Sequence, residues 1–152
     1  MVPDVSEPAA APAAAAPRRP AVVVAAVLLA LPTAVLWLVA GVAILRVGFG
    51  AEGLAAFLMW IIAAGIFGIC LLLVLMTLGG MRVVWTGGPN MLQLPAGATI
   101  GLVLVIPGVL LLLGRIDYNG TMVAPMIVGG LAGLALILLE TPPARRWVGH
   151  RP

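Results

Sequence analysis

Four long stretches of this chain carry no charge at all. Between Arg19 and Arg46 lie 26 uncharged residues, between Glu52 and Arg82 lie 29, between Arg82 and Arg115 lie 32, and between Asp117 and Glu140 lie 22. A hydrocarbon core roughly 30 Å thick needs about 20 apolar residues to cross it as a helix. Each stretch is long enough to cross once and too short to cross twice with a turn between. Of the 152 residues, 63% are hydrophobic and 9% charged, whereas an ordinary soluble domain has about 25% charged residues. The expectation is an all-α integral membrane protein, an antiparallel bundle of four transmembrane helices joined by short loops.

Glycines and prolines set the expected boundaries. Residues 1–20 hold five prolines that interrupt any helix their seven alanines would favour, so a disordered Ala/Pro-rich cytoplasmic tail is expected. The membrane domain covers 21–139, with spans at about 21–45, 54–78, 94–113 and 121–139. A short basic tail, 140–152, is stopped by Pro142-Pro143. The first span runs 25 residues, against the roughly 7–15 of a signal-peptide core, and is expected to stay uncleaved. Gly48, Gly50 and Gly53 turn the first connection, and Gly87-Gly88-Pro89-Asn90 turns the longer 79–96 loop. Pro32 and Pro107 fall inside spans and are expected to kink them.

Arginine placement orients the spans. Arg18, Arg19, Arg82, Arg145, Arg146 and Arg151 fall on one side, and Arg46 and Arg115 on the other. Positively charged loops stay in the cytoplasm, so both termini and the 79–96 loop are expected inside. Trp85, Arg145, Arg146 and Trp147 stand where interfacial anchors are useful.

The scarcity of reactive groups excludes whole classes of function. The net charge is +3 with no lysine, and the scattered arginines form no stripe suited to a nucleic-acid backbone. Cys70 is the single cysteine, His150 the single histidine and Ser6 the single serine. No dithiol, serine-based nucleophile pair or metal cluster can be assembled from that set. No Asp, Glu, Lys, Arg or His lies in the middle of a span, which counts against proton relays and carboxylate-based exporters. Catalytic residues, cofactors and metals are therefore expected to be none.

The positive pattern is small residues at helical spacing, which let helices approach closely in lipid. Span two has Ala64-x-x-x-Gly68, and span three has Gly97-x-x-x-Gly101 followed by Gly108. Span four has Gly129-x-x-x-Gly133 with Ala132, and span one has Ala26, Ala30, Ala34 and Gly41. Trp37 and Trp60 lie near these stripes and are expected to fill space against them. The functional expectation is a non-catalytic structural or accessory subunit acting through helix packing and its cytoplasmic loop. Its partners would be the lipid bilayer and a homo-oligomer or larger membrane complex. The alternative is a small oligomeric channel or permease, for which Thr33, Thr77, Thr99 and Asn90 are the few polar candidates.

The absence of lysine, the Ala/Pro-rich lead-in and the ending Thr141-Pro-Pro-Ala-Arg-Arg-Trp147 resemble small four-span membrane proteins of GC-rich actinobacteria. That resemblance implies a multi-pass protein of a bacterial plasma membrane and brings no functional residue with it. The arginine count makes the topology directly testable. A reporter active only outside the cytoplasm should be silent at Pro152 and active near Gly50 and Asn119. Activity at Pro152 would overturn the four-span arrangement or its orientation.

Overall fold

A computed structural model describes residues 18–53 and 55–148, and every regular element among them is helical. Residues 1–17 and 149–152, which include most of the expected N-terminal tail and the end of the basic one, lie outside the described residues. The elements are α1 (Ala21–Phe49), α2 (Ala55–Trp85), α3 (Gln93–Thr99), a π-helical segment (Ile100–Val105), α4 (Ile106–Leu112), a 3-10 turn (Gly120–Met122), α5 (Val123–Leu139) and α6 (Pro142–Trp147). Four continuous helical stretches are long and apolar enough to cross a membrane: Ala21–Phe49, Ala56–Trp85, Gln93–Leu112 and Gly120–Leu139.

The first two helices outrun the expected spans. α1 continues from Leu45 to Phe49, and α2 from Leu78 to Trp85. At 1.5 Å per residue they are about 44 and 46 Å long, so they exceed a hydrocarbon core roughly 30 Å thick. Arg46 and Arg82 sit inside helices because a charge limits how much of a helix lies in lipid and does not stop the helix itself. Glycine does the stopping. Gly87 has φ +80°, with Gly87 N–H donating to Val84 O and Gly88 N–H to Val83 O. Gly114 has φ +61°, with the same pair of bonds running to Leu111 and Leu110 from Gly114 and Arg115. Both are left-handed glycine caps of the kind that close helix C-termini.

The prolines behave differently from one another. Pro142 and Pro143 open α6 rather than end the chain's helical structure, since a proline in the first turn gives up a hydrogen bond no helix needs there. Pro32 lies within an unbroken α1. Pro107 follows directly on the six-residue π-helical segment, so the expected kink takes the form of a widened turn.

The packing is small inside and large outside. Half of the buried apolar residues described are alanines, including Ala26, Ala30, Ala63, Ala132 and Ala144. Leu28, Val39, Phe57, Ile69, Leu72 and Leu112 are exposed. Water would penalise that arrangement, while hydrocarbon favours it, because in lipid close approach rather than apolar burial holds helices together.

α1 is the central element. It packs along α2 on one side and α5 on the other, and α5 in turn packs against α3 and the π-helical segment. Among the described residues the backbones of α2 and α5 stay apart, and the α2 backbone comes close to the third span only at α3. The α1–α2 seam is read from two glycines. A Cβ on Gly48 would collide with the Ala63 side chain, and one on Gly41 would lie 3.0 Å from Cys70 Cβ. Seven residues back along α1 from Gly48 to Gly41 thus correspond to seven forward along α2 from Ala63 to Cys70. The next steps put Ala34 at the level of Thr77 and Val27 at Val84. Ala34, Thr77 and Val84 are buried, and Val27 packs on the core that contains Val84. A sevenfold repeat of this kind is the antiparallel counterpart of a coiled-coil seam.

Gly48→Leu should therefore lower stability by about 1–3 kcal/mol, the range for overpacking a tight contact. Gly65→Leu, where nothing lies within 4 Å of a Cβ, should be tolerated. Unfolding followed in detergent would show the difference, and equal effects at the two sites would contradict the seam.

Candidate functional site

The small residues singled out by spacing divide into those the fold uses and those it leaves uncovered. On α5, a Cβ at Gly129 would stand 3.1 Å from Leu104 Cβ, and one at Gly133 would make an ordinary 3.7 Å contact with Ile100. Ala132, between them, is buried. This stripe is the face that α5 lays on the π-helical segment. Gly68, Gly97, Gly101 and Gly108 have nothing within 4 Å of where a Cβ would be. Ala64 is half-buried, and its neighbour Ala63 is the residue that meets Gly48.

The reason is rotational. Spacing of three or four identifies residues on one face but not the direction in which that face points. α3 turns Pro95, Ala96 and Thr99 inward together with Leu92 just before it, which leaves Gly97 and Gly101 away from the chain's own contacts. The seam partners Gly48 and Ala63 were not apparent from four-residue spacing. The signal that finds them is the heptad run 27, 34, 41, 48 against 63, 70, 77, 84.

The buried polar side chains described are three threonines, Thr33, Thr77 and Thr99. Thr77 donates its hydroxyl to Leu73 O at 2.7 Å, and Thr99 to Pro95 O at 2.8 Å. Trp37 of α1 donates its indole N–H to Thr99 Oγ1 at 2.8 Å. That bond ties the first span to the third. Thr33 Oγ1, one turn from Trp37, has no partner. Asn90 lies in the connecting turn, where its side chain accepts from Leu92 N–H at 3.2 Å. Trp60 departs from expectation: it is 44% exposed and meets Phe49 edge-on with ring centres 6.4 Å apart.

The Arg-rich end has the best-developed core. Val23, Ala26 and Ala30 of α1 meet Met81 and Val84 of α2, Leu92, Leu139 of α5 and Ala144 of α6. The expected anchors are organised around it. Trp147 donates its indole N–H to Val84 O at 3.1 Å, and the Arg19 guanidinium lies 4.4 Å from the Trp85 ring centre. Arg145 pairs with Glu140, with Nε 2.8 Å from Oε2, while Arg146 is exposed. Of the loop residues, Met91 and Leu94 are exposed, and Met81, Val84 and Leu92 are internal.

Two cavities have no charged side chain in their lining. One of about 550 Å³ runs between α1 and α5 beside Pro32, with Leu28 and Val35 facing Ala124 and Val128. Another of about 300 Å³ lies where the third span meets the start of α5. Among the described residues no three His, Cys, Asp or Glu side chains gather as a metal site would require. Comparison with family models, curated proteins and solved structures returned no match, so the geometry carries the functional reading.

Substitution separates the two kinds of glycine. Gly129→Leu must displace Leu104 and should cost about 1–3 kcal/mol, whereas Gly97→Leu should leave folding in detergent unchanged. If Gly129→Leu is as stable as the parent, the α5 face is not a close contact.

Proposed function

We propose that this chain is a non-catalytic integral membrane protein, an antiparallel four-span bundle that serves as a structural or accessory subunit. Its setting is a bacterial plasma membrane, with both termini and the 79–96 loop in the cytoplasm. The observation that carries this reading is the uncovered glycine face of the third span. A Cβ added at Gly97, Gly101 or Gly108 would meet nothing within 4 Å, and in lipid such a face is what another helix packs on. The partner is a second copy or a larger membrane complex. Met91 and Leu94, exposed beside this face at the loop end of the span, extend the surface to the cytoplasmic side. Arg146 and the Arg19–Trp85 pair face the headgroups there.

The buried hydroxyls support a closed bundle over a conducting one. Thr77 and Thr99 spend their protons on carbonyls of their own helices, and the α1–α2 seam is filled to contact at Gly41 and Gly48. Purification in a mild detergent should recover the protein with a helical partner or as a defined oligomer. Gly101→Leu should dissociate that assembly while leaving the monomer's unfolding unchanged. A parent protein that stays monomeric at every detergent ratio and recovers no partner would overturn the proposal. Solute flux through proteoliposomes above the protein-free level would favour a small channel or permease instead.

A further inference from the structure

The third span and the start of α5 each place a proline against the same cavity. Within the π-helical segment Ile106 N–H donates to Gly101 O, five residues back. The next donor in that pattern belongs to residue 107 and its acceptor is Leu102 O. Residue 107 is proline and has no N–H, so the Leu102 carbonyl loses its helical donor. On the opposite wall Pro125 has no N–H to give Thr121 O, one turn earlier, which leaves that carbonyl only the three-residue bonding of the 3-10 turn, as Met122 and Val123 make to Asn119 and Gly120. Leu102, Pro107, Thr121, Met122, Pro125 and Met126 all line the cavity of about 300 Å³.

Apart from the Thr121 hydroxyl the lining is apolar, with a hydrogen-bond acceptor at each proline and no charged side chain. An acceptor left unpaired in a low-dielectric setting is costly, and so is a buried ion without a counter-ion. Both conditions are met by one kind of occupant: a neutral molecule with an apolar body and a hydroxyl to donate. We propose that this cavity is a binding site for such an alcohol or phenol, either free or as the hydroxyl-bearing end of a membrane lipid. Its volume is at the small end of the roughly 300–1,000 Å³ range of ligand pockets. It admits a ring or short chain rather than a whole lipid. The site is independent of the accessory-subunit reading, since none of the exposed glycines used there lines it.

Methionine methyl resonances provide a local readout, because Met122 and Met126 line the cavity while Met59, Met76, Met81 and Met91 do not. Titration with 4-propylphenol should shift Met122 and Met126 saturably and leave the other four in place. The methyl ether 4-propylanisole, equal in body but without a donor, should bind about tenfold more weakly, the worth of one hydrogen bond. Pro107→Ala returns an N–H to the helix and should abolish the preference for the phenol. Pro125→Ala serves the same purpose on the other wall if the first variant does not fold. In nanodiscs, a shift with dioleoylglycerol assigns the natural source to lipid, and a response to 4-propylphenol alone assigns it to a diffusible molecule. Equal affinity for phenol and ether, shifts spread equally over Met59, Met76, Met81, Met91, Met122 and Met126, or a preference that survives both alanine variants would overturn the proposal.

Discussion

Because Gly41 and Gly48 carry no side chains, α1 can lie against α2, and the remaining elements are positioned from α1. It carries the Ala26 and Ala30 surface of the Arg-rich core and the face that receives α5. It also carries Trp37, whose indole reaches the third span at Thr99. In hydrocarbon no difference in solvation pulls one leucine-covered helix towards another, so contact area and fit must supply the attraction. Fit is greatest where a glycine lets a neighbour's backbone approach. This explains why alanine dominates the interior and the large apolar side chains are turned out. It also explains why the outer parts of α2 and the third span can diverge: nothing in lipid requires a bundle to close.

The number and type of helices were legible because they follow from a one-dimensional quantity, the distance between charges. Their lengths were less so. The stretch between Glu52 and Arg82 measures what can sit in hydrocarbon, whereas α2 ends only at the left-handed Gly87, a cap whose conformational signature resides in one residue. The packing faces were half legible. Gly129 and Ala132 do meet a neighbour, but Gly97 and Gly101 share a face that the α3 rotation turns away from the chain. Spacing describes a helix in isolation, and its rotation is decided by partners distant in sequence, here Leu92, Thr99 and Trp37. The α1–α2 seam was hidden because its repeat is seven rather than four and its members, Gly48, Ala63, Cys70 and Thr77, belong to four residue types.

The residues read as membrane anchors have a second task inside the protein. Trp147 offers its indole N–H to the Val84 carbonyl in the last turn of α2, which also accepts from Gly87 N–H in the glycine cap. That bond fastens α6 beneath the core and fixes where Arg145 and Arg146 are presented. Arg19 covers the Trp85 ring, so charge and aromatic face add to the apolar fit that ties the start of α1 to the end of α2. An aromatic residue at an interface can therefore orient a helix toward lipid and close a helix end at once. Sequence position raises the expectation of the first role, and only the fold reveals the second.

Three prolines inside or near spans show how the same covalent defect acquires different consequences. Pro32 leaves α1 continuous and stands beside an apolar groove toward α5. Pro107 comes at the close of a widened turn, where the shift from four- to five-residue hydrogen bonds moves the lost donor opposite Leu102. Pro125 is in the first turn of α5, directly after the 3-10 turn that the Asn119 side chain caps at Thr121 N–H. A helix start already has spare acceptors and donors, so Pro125 removes little that α5 needs. Pro107 removes a donor from the middle of a span, where neither water nor a cap stands by. The difference lies in position along the helix: Pro107 leaves Leu102 O without its helical donor inside the third span, as Pro32 withholds an N–H from Leu28 O within α1.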